Sequence, residues 1–298
     1  MNTHKSSIAL GAFDGLHLGH QAVLAAAFLP GFTPAVLTFR QSPSGEPLLL
    51  PDEDRRALLT RRGFSKIYTL DFEEVKDTPA EVFAEQFLLG DCRAERLVCG
   101  EDFRFGKGAK GDAEMLAALC NEQGAQLLVI PPVEENGEKI SSSRIRKLIE
   151  AGDIAAANRL LGRPFGFAGE VIHGNHLGTG LGTPTINQAY PEGLTVPRFG
   201  VYAAWCRADG EDWFGVTNIG VKPTVGSDKI LAETWMPDFS GDLYGKRVRL
   251  FLLDFIRPER RFDSLEELKA VILQNAEQAR EIAAENTLSV WNAEEILP

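Results

Sequence analysis

Short β-prone runs alternate with amphipathic runs along the first half of the chain. The β-prone runs lie at residues 8–10, 36–39, 66–72, 96–99 and 126–130. The amphipathic runs between them lie at residues 20–29, 52–62, 79–89 and 112–123. This alternation predicts βαβ units and a parallel sheet, in which ligands bind beyond the carboxyl ends of the strands.

Two short helices are predicted next, each ended by a glycine, at residues 143–151 and 154–161. Asp153 is placed to cap the second of them. The helix-breaking run Gly162-Arg163-Pro164 then predicts a domain boundary. The predicted domains are therefore residues 1–163 and residues 164–298.

The second half has a different pattern, because helical periodicity disappears and β-prone runs recur. These runs lie at residues 167–173, 200–208, 212–219, 230–236 and 246–257, with turn residues between them. They predict a small antiparallel barrel or sandwich. Ser264 and Glu267 form a capping box that opens a final helix. Its apolar stripe, which we expect to pack on the β-domain, consists of Leu268, Val271, Ile272, Ala276 and Ala279.

Composition narrows the class of protein. The chain has 298 residues and a net charge of −11, which argues against a nucleic-acid binder because such a protein needs a basic face. Its four cysteines have neither a CxxC pair nor metal-site spacing, as expected of reduced thiols in the cytosol. The first residues lack an apolar signal segment, and no stretch approaches 18 apolar residues. We therefore expect a soluble cytoplasmic protein without a membrane partner, whose oligomeric state the sequence leaves open.

The run from Gly11 to His20, GAFDGLHLGH, lies where the first predicted strand turns into a helix. Such a turn presents backbone N–H groups and the positive end of a helix dipole to a phosphate. His17 and His20 can add donors to a triphosphate there. The pattern H-x-G-H resembles the signature of adenylyl-transferring nucleotidyltransferases. The alternative is a turn with incidental histidines.

Two further segments of the first half could bind a nucleotide or an aromatic ring. The loop from Gly100 to Gly108, GEDFRFGKG, follows a predicted strand and fits a pocket for a planar ring; the alternative is a surface loop with two aromatics in the core. The run from Ile140 to Arg146, ISSSRIR, opens a helix and could bind phosphate through hydroxyls and a guanidinium. Simple helix capping would also explain its serines.

In the second half, a glycine-rich loop leads into Pro184-Thr185-Ile186-Asn187. Glycines allow a phosphate to approach the backbone closely. Thr185 and Asn187 are two residues apart, so on a strand their side chains face the same way. Their oxygens suit a Mg²⁺ ion that already carries phosphate oxygens.

The order of these motifs resembles the bacterial bifunctional riboflavin kinase/FAD synthetase family, and the resemblance spans roughly residues 8 to 285. It implies a Rossmann-like nucleotidyltransferase domain followed by a small antiparallel β-barrel kinase domain. The first domain would convert FMN and ATP to FAD and pyrophosphate, with His17 and His20 as its catalytic residues. The implied ATP-binding residues are Gly11, Phe13, Asp14, His17, His20, Ser142, Ser143 and Arg146. The implied flavin-binding residues are Asp102, Phe103 and Phe105.

For the kinase half, the resemblance implies transfer of a phosphate from ATP to riboflavin, with Glu233 as general base and Mg²⁺ held by Thr185 and Asn187. The implied ATP-binding residues are Gly178, Gly180, Gly182 and Thr185. The implied flavin-binding residues are Asn187, Glu233 and Arg257. Alternatives are a chain with only one of these activities, a non-catalytic flavin sensor on the same scaffold, and adenylyl transfer to a different phosphate.

The chain departs from the family pattern at two places. Ser42 stands where the family commonly has a histidine. The glycine loop, Leu177-Gly178-Thr179-Gly180, lacks the arginine or lysine that related kinase domains carry there. The nearest basic candidates are His176 and Lys222, and the expectation is a kinase that binds ATP more weakly.

Overall fold

The computed structural model describes residues 5–174, 182–224 and 227–287, with the backbone alone at 222–224 and 227–228. The chain divides into two compact units, Met1–Ser142 and Ser143–Pro298. The two helices that precede the predicted boundary therefore group with the second unit. The functional limits 1–163 and 164–298 stay a prediction.

A five-stranded parallel sheet forms the centre of the first unit, in the order β3-β2-β1-β4-β5. Its strands are β1 Lys5–Leu10, β2 Phe32–Phe39, β3 Lys66–Leu70, β4 Ala94–Gly100 and β5 Gln126–Ile130. Four of the predicted β-prone runs of this half lie within these strands, and the fifth, 66–72, extends two residues beyond β3. The predicted α/β architecture is confirmed.

The helices of the first unit are α1 Leu18–Ala25, α2 Asp52–Arg61, α3 Phe72–Val75, α4 Ala80–Val82 and α5 Ala113–Gln123. The run predicted as a helix at 79–89 winds differently, because α4 continues as a π-helix over Phe83–Asp91. This winding bonds residues five apart, and Phe83 and Leu88, five apart, are both buried in the core. A small hairpin of β6 Glu134–Glu135 and β7 Glu138–Lys139 was not predicted.

Helix α6 Ser142–Ala151, which lies in the second unit except for Ser142, and helix α7 Ile154–Leu161 occupy the predicted positions. Asp153 accepts a hydrogen bond from the Ala156 N–H, and Gly162 ends α7 at a φ of 69°, as expected. A closed barrel in the order β10-β11-β12-β9-β8-β13 follows, so the barrel rather than the sandwich is correct. Its strands are β8 Phe165–Ile172, β9 Thr185–Ala189, β10 Gly200–Ala208, β11 Glu211–Thr224, β12 Ser227–Trp235 and β13 Arg247–Pro258.

The last helix, α8 Leu265–Glu285, begins at the predicted capping box. Ser264 Oγ accepts from the Glu267 N–H at 3.1 Å, and the Glu267 carboxylate accepts from the Asp263 N–H at 3.1 Å. Ala276 and Ala279 are buried against the barrel, as predicted, whereas Leu268, Val271 and Ile272 are only half-buried. Within the described ranges, no helix is long and apolar enough to cross a bilayer. The four cysteines are buried and free.

Asn158 connects α7 to two strands of the barrel. Its Nδ2 donates to the Leu252 carbonyl at 2.9 Å, and its Oδ1 accepts from the Phe165 N–H at 2.7 Å. The side chain is buried, so water cannot replace these partners. Asn158 therefore fixes α7 against β8 and β13.

Asn158→Ala is expected to lower the free energy of unfolding by about 2–4 kcal/mol, because it leaves a buried N–H and a buried carbonyl unsatisfied. Urea titration followed by the signal of the barrel tryptophans measures this change. The exposed Asn121 of α5 supplies the control, and Asn121→Ala should stay within about 0.5 kcal/mol of wild type. Equal stabilities of the two variants would contradict the assignment.

Candidate functional site

A cavity of about 990 Å³ opens at the carboxyl ends of the parallel strands of the first unit. Parts of all three predicted segments line it: the turn after β1, the loop after β4 and the serines at the start of α6. The lining includes Gly11, Phe13, His17, His20, Asp102, Phe103, Phe105, Ser141 and Ser142. The sequence motifs, far apart along the chain, thus meet at one site within this unit.

His17 forms the N-cap of α1. Its Nδ1 accepts a hydrogen bond from the His20 N–H at 3.3 Å. A neutral imidazole that accepts at Nδ1 carries its proton on Nε2, so His17 can donate from Nε2. Burial, followed by the charge of Lys139, lowers the pKa of His17 to about 4. His17 is therefore a neutral donor at pH 7 in the unliganded protein.

His20 stacks on His17, with ring centroids 3.6 Å apart and planes 18° from parallel. Phe13 contacts His20 edge-on at 5.4 Å. Burial and the neighbouring His17 hold the pKa of His20 well below its usual value. Its Nδ1 is buried and makes no hydrogen bond within the part of the chain that the structure describes. The paired rings form one neutral surface at the start of α1.

The backbone before His17 is left-handed at three residues: Phe13 at a φ of 51°, Gly15 at 82° and Leu16 at 47°. This turn folds the Phe13 ring over Gly11, where an added Cβ would lie 3.1 Å from the ring. At Gly19 a Cβ would lie 3.1 Å from His17 Cε1. The glycines of the motif thus leave room for the two aromatic rings.

Asp14 is part of the turn but does not line the cavity. Its Oδ1 accepts from the Leu49 N–H at 2.8 Å, and its own carbonyl accepts from Ser142 Oγ at 3.0 Å. These bonds give Asp14 a role in holding the turn in place. The ATP contact expected for this residue stays a prediction.

The loop after β4 brings an aromatic pair and an ion pair to the cavity. Phe103 and Phe105 stack with centroids 5.7 Å apart, and Phe105 is also part of the hydrophobic core. Asp102 pairs with Lys139 of β7, a lining residue that the sequence did not single out. Ser42 bonds the Ser44 hydroxyl at 2.9 Å, and Ser44 rather than Ser42 lines the cavity.

Ser142 closes the first unit, and Ser143 and Arg146 begin the second. Ser143 lies in the first turn of α6 and Arg146 is buried one turn further on. Of these three predicted phosphate ligands, Ser142 alone lines the first unit's cavity.

A second cavity, of about 270 Å³, lies on the outside of the barrel beside α8. Glu233 of β12 lines it and stands in register with Asn218 of β11 on one side and Asn187 of β9 on the other. Side chains at such positions share one face of the sheet. The register therefore groups a carboxylate and two amides on this face. Thr185 and Arg257, both predicted site residues, also line the cavity.

Arg257 is held by Asn275, a residue that was not predicted from the sequence. Its Nε donates to Asn275 Oδ1 of α8 at 2.8 Å, and its guanidinium lies 5.5 Å from the Phe262 ring centroid. Asn275 is buried within the apolar face of α8. A polar residue within such a stripe was the sequence signal available for it. Asn218, which donates to Glu259 Oε1 at 3.1 Å, also joins the site.

Asn187 and Thr185 lie two residues apart on β9, as predicted. Asn187 Oδ1 is buried and has no hydrogen-bond partner in the described ranges, which fits an oxygen available to a cation. Among the residues that the structure describes, no cluster of three His, Cys, Asp or Glu forms a metal site. Gly182 is described, with a φ of 78°. Gly178 and Gly180, together with His176 and Thr179, lie outside the described residues, and so does the Lys222 side chain.

Comparisons with known proteins identify the family of the chain. A family model described as FAD synthetase matches residues 1–144, and one described as riboflavin kinase matches residues 161–283. Two relatives are named bifunctional riboflavin kinase/FMN adenylyltransferase. The Pseudomonas fluorescens protein is 36% identical over 294 residues, 94% of each chain, and the Bacillus subtilis (strain 168) protein is 35% identical over 291 residues, 92% of each chain.

A solved structure described as a macrolide-efflux protein from Streptococcus pneumoniae has the same fold. It superposes with a TM-score of 0.86 at 30% identity and covers 93% of this chain and 94% of its own.

A parallel-sheet unit with a paired-histidine turn at a helix N-terminus, followed by a barrel with a carboxylate pocket, is the arrangement of a two-domain transferase. The chain belongs to the bifunctional riboflavin kinase/FMN adenylyltransferase family. It phosphorylates riboflavin to FMN with ATP and adenylylates FMN to FAD.

The lowered pKa of His17 predicts a pH-dependent stability. Between its ordinary value of 6.5 and about 4, the unfolded chain binds a proton that the folded chain does not, so stability falls as the pH falls through this range. From pH 7 to pH 5 the loss due to His17 is about 2 kcal/mol.

His17→Asn removes the titrating group but keeps an acceptor for the His20 N–H. The unfolding free energy of this variant, from urea titrations across the same pH range, should fall less steeply than that of wild type. Identical slopes would contradict the lowered pKa.

Proposed function

We propose that FMN adenylylation takes place in the cavity of the first unit, with His17 and His20 at the polyphosphate of ATP. The observation that carries this proposal is the neutral His17 ring, fixed by its cap to α1 so that Nε2–H is free to donate. The N-terminus of α1 adds the positive end of the helix dipole. Together they offer fixed donors where charge accumulates on the phosphates.

In this reaction an oxygen of the FMN phosphate forms a bond to the α-phosphorus of ATP, and the bond to the pyrophosphate oxygen breaks. The nucleophile is already anionic, so no side-chain nucleophile is needed. The Ser142 hydroxyl already donates to the Asp14 carbonyl. We therefore assign the backbone N–H of Ser142, rather than its hydroxyl, to the phosphate. Ser143 and Arg146 are the other two phosphate ligands predicted for this run. Asp102, Phe103 and Phe105 are assigned to the flavin, with the half-buried Phe103 offering a ring face.

We assign riboflavin phosphorylation to the cavity beside α8. Glu233 accepts the proton of the ribityl 5′-hydroxyl of riboflavin. The hydroxyl oxygen attacks the γ-phosphorus of ATP, and ADP leaves. Arg257, oriented by Asn275, is assigned to the flavin side of the same cavity. Thr185 and Asn187 are the proposed ligands of Mg²⁺, and the unpartnered Asn187 Oδ1 supports this choice. When bound, Mg²⁺ would neutralise phosphate charge.

The remaining expectations also stay proposals. The protein is proposed to act in the cytoplasm on small molecules, without nucleic-acid or membrane partners. Its net charge of −11 and the bacterial relatives support this view. The four free thiols agree with a reducing compartment.

Glu233→Gln should lower FMN formation from riboflavin by about 10²–10⁴-fold, the usual contribution of a general base. Conversion of FMN to FAD should continue at the wild-type rate. Chromatography of riboflavin, FMN and FAD over time measures both steps in one protein. The control is Glu211→Gln, at an exposed position of the same barrel. Loss of both activities in a folded Glu233→Gln protein would refute the two-site assignment.

Two variants of His17 separate its cap from its donor. His17→Asn keeps an acceptor near the Nδ1 position but loses the Nε2 donor, so FAD formation should fall by about 10²–10³-fold. His17→Gln keeps a donor near the Nε2 position and should retain more of that rate. Riboflavin phosphorylation should be unchanged in both. A wild-type rate of FAD formation in folded His17→Asn would show that His17 does not act on the phosphates.

A further inference from the structure

The turn that carries His17 and His20 is held by a buried arginine that lies outside the predicted motifs of the first unit. The arginine bonds the backbone of the turn. Arg55, on α2, is 1% exposed. Its Nη1 donates to the Ala12 carbonyl at 3.4 Å, and its Nη2 donates to the carbonyls of Phe39 and Arg40. Ala12 follows β1, whereas Phe39 and Arg40 lie where β2 ends. One guanidinium therefore joins the carboxyl ends of two neighbouring strands.

The charge of the buried Arg55 guanidinium is partly balanced by the Asp52 carboxylate. Asp52 Oδ1 lies 2.6 Å from Arg55 Nη2. Burying a guanidinium is costly unless its donors are used, and an apolar side chain could fill the same space without that cost. Arginine is suited to the position because its planar fork can reach acceptors on separate segments at once. Lysine carries the same charge without the fork.

The turn that carries His17 and His20 begins at Ala12. The Ala12 carbonyl also accepts from Thr38 Oγ1 at 2.7 Å, so β2 and α2 hold the same oxygen. Ala12 and Phe13 line the cavity, and the left-handed residues that follow lead directly to His17. A shift at Ala12 would be passed on to the His17 ring.

We propose that Arg55 is a positioning residue for FMN adenylylation: its guanidinium fork fixes the turn from Ala12 to His20 against the end of β2. The proposal rests on the proposed role of His17 at the phosphates. Arg55 acts through the turn, and the Ala12 carbonyl is the atom through which it acts.

The charge of Arg55 has a second effect, on His20. The charged and titratable groups that face His20 are His17 from the same turn, Arg55 and Arg62 from α2 and the residue after it, and Lys139 from β7. After burial, these groups lower the pKa of His20. Replacing Arg55 by a neutral residue should raise that pKa, and replacing it by lysine should not.

The test compares Arg55→Lys and Arg55→Met in the full chain, with Arg56→Lys and Arg56→Met as controls at the exposed neighbouring position. Arg55→Lys should lower kcat for FAD formation by about 10- to 100-fold, the scale of a small misplacement of catalytic groups, with little change in KM for ATP. Riboflavin phosphorylation and the Arg56 variants should match wild type. NMR titration of labelled histidines should show a raised pKa of His20 in Arg55→Met alone.

Wild-type kcat in a folded Arg55→Lys protein would overturn the proposal, and so would a parallel loss of kinase activity. Should Arg55→Met not fold, Arg55→Lys alone decides. His17→Asn distinguishes the positioning role of Arg55 from the proposed role of the turn itself. If His17→Asn lowers FAD formation and Arg55→Lys does not, only the positioning role fails. If His17→Asn is also without effect, the proposed role of the turn fails with it.

Discussion

The proposed adenylyl-transfer site depends on a short stretch of backbone in an unfavourable conformation. Phe13 and Leu16 have positive φ values, and each such non-glycine residue costs on the order of 1–3 kcal/mol. The surrounding chain offsets this cost through bonds to the turn from several directions. Leu49 bonds the Asp14 carboxylate, and Ser142 bonds the Asp14 carbonyl. The result is a turn held by several hydrogen bonds, with His17 as the N-cap of α1.

The fold could be predicted well where the periodicity was strong. All five parallel strands and the two glycine-ended helices followed from hydrophobic pattern and caps. β9 was not predicted as a separate strand, because its five residues follow the glycine loop and are too few to show alternation. The π-helix after Val82 was also missed, since its residues have ordinary helical composition. Local sequence does not record which tertiary contacts a helix must meet.

The candidate sites were predicted where a motif concentrated unusual residues, as in the run from Gly11 to His20. Residues that join a site from elsewhere in the fold were not found. Lys139 reaches the first cavity through a short hairpin, and Asn275 reaches the second from a long helix. Asp14 shows the reverse case, because a motif residue with a carboxylate supports the backbone rather than the cavity wall. The spacing of residues along the chain identifies candidate site residues, and their contacts in the structure show which groups each of them bonds.

The register of β12 has a consequence for how this sequence can change during evolution. Glu233 faces outward between two amides, while the next residue, Thr234, bonds Thr217 at 2.9 Å inside the barrel. Side chains alternate between the two faces, so inserting or deleting one residue in this strand would exchange the two. The threonine would then face the cavity and the carboxylate would be buried without water. We therefore expect natural length variation in homologous barrels to fall in the connecting loops, and the strand to tolerate substitution far better than insertion.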